Sequence, residues 1–74
     1  MNHNNLARFV IRLQTRENRS KMFCQLPLVW SGGIRQLRAW AEAKGLEFCA
    51  CQQDVLGGHY RDASTGYEYF LELK

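Results

Sequence analysis

Apolar and polar side chains alternate near the start of this chain. Ala7, Phe9, Ile11 and Leu13 fall on one side of an extended backbone, and Arg8, Val10, Arg12 and Gln14 fall on the other. A period of two predicts a half-buried strand over residues 6–14. Thr15-Arg16-Glu17-Asn18-Arg19-Ser20 has no apolar side chain and several turn formers. It predicts a chain reversal into a second strand, Lys21 to Leu26, ended by Pro27, which cannot donate to a ladder.

The period then changes. Ile34, Leu37, Trp40 and Ala41 share one stripe at helical spacing, while Arg35, Arg38 and Glu42 share another. The predicted helix runs from Ser31, whose hydroxyl can cap the first turn, to Gly45, which suits a left-handed terminating residue. Gly32 and Gly33 weaken its first turn. Beyond it, Leu46 to Gln53 reads as a strand and Gly57-Gly58 as a turn. His59 to Asp62 reads as a short strand, and Tyr67 to Leu73 as the last one.

The order β-β-α-β-β-β predicts an α+β domain spanning residues 1–74. Its architecture is a small two-layer sandwich, one helix packed on a mainly antiparallel sheet, with residues 1–5 as a flexible tail. A lone helix covers one face of a sheet. The other face must be solvated, paired with a second copy or occupied by a partner.

The strands at the two ends of this order carry matching patterns, Arg8-x-Val10-x-Arg12 and Glu68-x-Phe70-x-Glu72. Paired antiparallel, they would set Arg8 against Glu72, Val10 against Phe70 and Arg12 against Glu68. Each cross-strand pair would contribute roughly 0.2–1 kcal/mol. With Phe23, these residues form an apolar strip rimmed by charges of both signs, the composition of a protein interface and of a self-complementary twofold contact.

Charge adds a competing reading. The net charge of +3 is uneven: residues 1–45 hold eight Lys/Arg against Glu17 and Glu42, and residues 46–74 hold two against five acids. Arg16, Arg19 and Lys21 in the first turn, extended by Arg35 and Arg38 on the helix, would form a basic edge for nucleic acid, with Phe23 as a stacking face. Arginines that answer carboxylates on a neighbouring strand are poorly placed for phosphates, which ranks protein contact first. A helix-turn-helix needs more helices than this chain has, and Tyr67-Glu68-Tyr69-Phe70 places acids where the RNA-recognition motif has basic and small residues.

Cys24, Cys49, Cys51 and His59 are of zinc-ligating type. Cys49 and Cys51, however, flank a single alanine in a predicted strand, unlike the pairs that metal sites draw from turns. They read as small apolar side chains, and an odd cysteine count is no disulfide framework. Catalysis would need a pocket around His59 and Asp62, with Ser31 or Cys24 as nucleophile, and no motif-level spacing links them. Gly32-Gly33 lacks the full pattern and the lysine of a phosphate loop. No enzyme activity, cofactor, metal or small-molecule substrate is expected. Residues 1–5 lack a basic leader region, and Arg8 and Arg12 interrupt the apolar stretch that follows. The expectation is a cytoplasmic protein without membrane contact. A chain of 74 residues buries a marginal core, so an oligomeric or partner interface would add to its stability.

Overall fold

The computed structural model describes residues 8–74. Five strands form one antiparallel sheet: β1 (Phe9–Gln14), β2 (Leu28–Gly32), β3 (Glu47–Ala50), β4 (Gly58–Arg61) and β5 (Glu68–Leu73). The spatial order is β2-β1-β5-β4-β3. The first and last strands therefore pair at the centre, and β2 and β3 form the edges. The single helix, α1 (Ile34–Lys44), connects these two edge strands, which run parallel to one another. The expected tail over residues 1–5, and residues 6 and 7 of the first predicted strand, lie outside the described residues.

The alternation in β1 sorts its side chains as the period of two requires. Phe9, Ile11 and Leu13 turn toward the helix, where Ile11, fully buried, packs with Leu37 and Tyr69. Trp30, Trp40 and Tyr60 close around them. Trp40 bridges two elements, with its ring centroid 5.7 Å from that of Trp30 and 5.4 Å from that of Tyr69. Of the predicted helical stripe, Leu37 and Ala41 are buried and Trp40 is half-buried. Ile34, in the first turn, remains exposed. The helix begins at Ile34, not Ser31: Ser31 and Gly32 belong to β2, and the Gly33 N–H donates to the Gln36 side-chain carbonyl at 3.0 Å. At the other end Gly45 adopts the left-handed φ of 70° that a side chain would resist.

The second strand is displaced from its predicted place. Lys21 to Leu26 is not extended; within it Phe23–Gln25 forms a 3₁₀ turn in which the Gln25 side chain accepts the Met22 N–H at 3.1 Å. The strand follows Pro27 instead of preceding it. Proline lacks an N–H, but its carbonyl accepts from Leu13 N at 3.0 Å and so leads into the pairing of β1 with β2. Opposite Ile11 and Arg12 stand Trp30 and Leu28, which leaves Val29 as the extra residue of a bulge in the edge strand.

β1 and β5 do pair antiparallel, two residues out of the predicted register. Val10 faces Glu72, Arg12 faces Phe70 and Gln14 faces Glu68. The shift keeps every side chain on its predicted face, because two residues is one full period of the pleat. It nonetheless changes the partners. Arg12 Nε reaches Glu72 Oε1 diagonally at 3.2 Å, Glu68 lies opposite Arg61 of β4, and Arg8 lies beyond the strand, exposed, its carbonyl accepting from Lys74 N.

Candidate functional site

The face of the sheet turned away from α1 is not bare. Two short segments fold over it. The first is the connection between β1 and β2, fixed by Arg12: its Nη1 donates to the carbonyls of Leu26 at 2.8 Å and Cys24 at 3.2 Å. Guanidinium geometry suits this task, since one planar group can serve a carboxylate and two carbonyls together. Phe23 is thereby placed over the sheet, with the Arg12 guanidinium 5.6 Å from its ring centroid and Phe70 meeting it edge-on at 6.0 Å. Val10 and Leu26 are buried. Val10 therefore offers no surface to a partner, contrary to the strip predicted from its alternation.

The second segment is the loop between β3 and β4, where the predicted strand to Gln53 stops at Ala50. It closes on itself: Cys51 N donates to Gly57 O, Asp54 N to Cys51 O, and Gly57 N to Asp54 O, at 2.9, 3.2 and 3.1 Å. One side chain ties it to the sheet. Asp54 Oδ2 lies 2.7 Å from His59 Nδ1, and His59 Nε2 is 3.6 Å from Glu68 Oε2. The imidazole also lies against Phe70, ring centroids 4.7 Å apart. Gly58, at the start of β4, leaves no room for a larger residue, because a Cβ there would meet the Phe48 ring and stand 2.7 Å from Cys49 O.

Between these two segments runs a groove of about 260 Å³ lined by Phe23, Gln53, Asp54, Val55, Phe70 and Leu71. Val55 is 88% exposed and Met22, beside Phe23, 67%. Apolar side chains so presented, next to an ion pair and a histidine held between two carboxylates, form a small apolar centre with a charged rim.

The other predicted residues distribute as follows. Phe23, Phe70, Arg12, Glu68 and Glu72 share this face, whereas Arg8 lies outside the groove. Arg16, Arg19 and Lys21 are exposed in and beside the turn after β1, and Arg35 and Arg38 are exposed on α1. The two basic sets do not share Phe23, because the helix and Phe23 lie on opposite faces of the sheet.

His59 does not pair with Asp62. Asp62 Oδ1 instead accepts from the Ser64 hydroxyl at 2.7 Å and from Ser64 N at 3.0 Å. Those bonds hold its carboxyl below the usual aspartate range, the Ser64 hydroxyl contributing most. Cys49 sits opposite His59 in the β3–β4 ladder, which brings a thiol, an imidazole and Asp54 near one another. This is not the arrangement of a nucleophile and its base: the imidazole nitrogen not engaged by Asp54 is directed to Glu68, on the other side of β4 from Cys49. Cys24, Cys49 and Cys51 are free thiols. Among the described residues no three His, Cys, Asp or Glu side chains are grouped to hold a metal ion, and no helix is long and apolar enough to cross a membrane.

Sequence reasoning missed Gln53, Asp54 and Val55. A signal was present: Asp54 and His59 stand five residues apart around Gly57-Gly58, a spacing that brings two side chains together across a tight reversal. No family model matches this chain, and neither does any curated protein or solved structure.

Proposed function

We propose that this chain is a non-enzymatic interaction module that docks a protein partner on the sheet face opposite the helix, with the groove between Phe23 and Val55 as the centre of contact. The observation that carries this reading is the exposure of Met22, Phe23 and Val55 around a groove whose surroundings are well fixed. Arg12 holds one wall and the Asp54–His59 pair holds the other, so the apolar groups are presented without the ordering cost of a mobile loop. A second copy of the chain is the simplest partner, since charges of both signs border the groove.

The test is Phe23→Glu, examined by light scattering after size exclusion and by partner binding. Phe23 is 43% exposed, so the variant is expected to keep the wild-type helical signal and a cooperative unfolding transition, its midpoint lowered by the lost contact with Phe70, while losing assembly or partner binding. Unchanged association would sink the proposal. One observation favours a second reading, as a nucleic-acid binder: Arg16, Arg19, Lys21, Arg35 and Arg38 are exposed and enter no ion pair among the described residues. In that case affinity for an oligonucleotide falls steeply with added salt and survives Phe23→Glu.

A further inference from the structure

The geometry points to an arginine side chain of the partner as the group this groove receives, an inference that rests on the docking role proposed above. Three observations converge on it. The first is shape and polarity: Phe23, Phe70 and Val55 supply apolar walls for a hydrocarbon stem, while Gln53 and Asp54 line the same groove with polar groups for its head.

The second is charge. Asp54 carries the only charge among the lining residues. The Arg12 guanidinium is taken up by Glu72 and two carbonyls. His59 occupies Asp54 Oδ2, but no described residue donates to Oδ1. Neither that oxygen nor the Gln53 side-chain carbonyl accepts a hydrogen bond from a described residue, and an arginine would bring several donors.

The third is that the molecule already practises this recognition once. Arg12 rests its guanidinium 5.6 Å from the Phe23 ring centroid while its N–H groups satisfy a carboxylate and backbone carbonyls. An incoming guanidinium would repeat that pattern on the groove side, stacking on an aromatic and donating to Asp54 Oδ1. Arginine suits this better than lysine, because a planar, weakly hydrated cation gains more from an aromatic face than a compact ammonium does.

The experiment is a titration of ¹⁵N-labelled protein, followed by NMR, with Nα-acetyl-arginine amide and with Nα-acetyl-citrulline amide, which has the same length and no charge. The arginine probe is expected to shift the amides of Gln53, Asp54, Val55 and Phe70 saturably in the millimolar range, as suits so small a fragment. The citrulline probe should bind at least about fivefold more weakly. Gln53→Glu adds a carboxylate at an exposed rim position without touching the Asp54–His59 bond, and should tighten arginine binding about twofold to fivefold, the size of a surface ion pair. Equal response to both probes, no response to either, or no gain from Gln53→Glu overturns the inference. Each of those results leaves the docking role standing or falling on Phe23→Glu alone, so the two failures are separable.

Discussion

The two faces of this sheet are covered by different physics. On the helix side, α1 lays Leu37 and Ala41 over Ile11 and Tyr69, and burial of apolar area does the holding. On the other side Val10 and Leu26 are also buried, but no α-helix lies over the sheet. Two irregular segments are fastened there by directional bonds: Arg12 to Glu72, Cys24 and Leu26, and His59 to Asp54. The molecule can therefore spare apolar surface on the bonded side and not on the helix side. An apolar cluster is effective only when sealed, whereas a bonded clamp fixes a segment and still leaves its apolar side chains outward.

The largest effect is expected of Ile11→Ala. Ile11 is fully buried at the centre of the helix side, so truncation is expected to cost about 2–5 kcal/mol in urea unfolding, enough to unfold much of so small a protein. Arg12→Ala strikes the other face. Losing its charged hydrogen bonds should cost about 1.5–3 kcal/mol. Hydrogen exchange should then accelerate in residues 22–27 and much less in α1; equal acceleration in both would show that the faces are not independent.

Smaller effects should follow pH. Burial raises the Tyr69 phenol above its ordinary value of 10.0, with lesser contributions from Asp62 and Tyr67. A folded-state value raised in this way means that the folded chain holds the proton more tightly than the unfolded chain. The associated stability is complete below the ordinary value and is lost as pH rises through the folded one. Alkaline melts of wild type against Tyr69→Phe should show a shallower decline in the variant. The smallest change belongs to Asp62, whose carboxyl is lowered chiefly by the Ser64 hydroxyl. Its contribution is present above the ordinary value of 3.8 and fades as pH falls through the lower folded one. Asp62→Asn should lower stability slightly at pH 7 and flatten the acid limb, so that variant and wild type converge as pH falls through the lower folded value.

The sequence made the helix side legible because its signals are periodic. Alternation located β1, β4 and β5 to within a residue or two, apart from residues 6 and 7, which are not described. The helical stripe located Leu37, Trp40 and Ala41. The opposite face was read less well because its order comes from single bonds at irregular spacing. Nothing local in Met22-Phe23-Cys24-Gln25 distinguishes a 3₁₀ turn from a strand until Gln25 is seen bonding back to Met22 and Arg12 reaching across from β1. Pro27 signalled a boundary correctly, yet its direction depended on whether Leu13 would use the proline carbonyl. Matching charges on β1 and β5 predicted that the strands pair, but a register set by packing moved the ion pair from facing to diagonal positions. Phe23, Phe70, Arg12, Glu68 and Glu72 were placed on one face by sequence, while the loop that completes the groove was not.

The pairing of β1 with β5 bears on how the chain reaches this state. Phe9 lies opposite Leu73, so the middle of the sheet joins segments separated by all the other elements. Closing so long a loop before any reward from burial is slow, and topologies of this kind fold late and as a whole. On the ribosome the edge of β1 that pairs with β5 would stay open until β5 had been made, leaving an interval in which a strand from another chain, or a chaperone, could take its place. Strand exchange between newly made chains is therefore a hazard set by the sheet order, separate from any association through the finished surface.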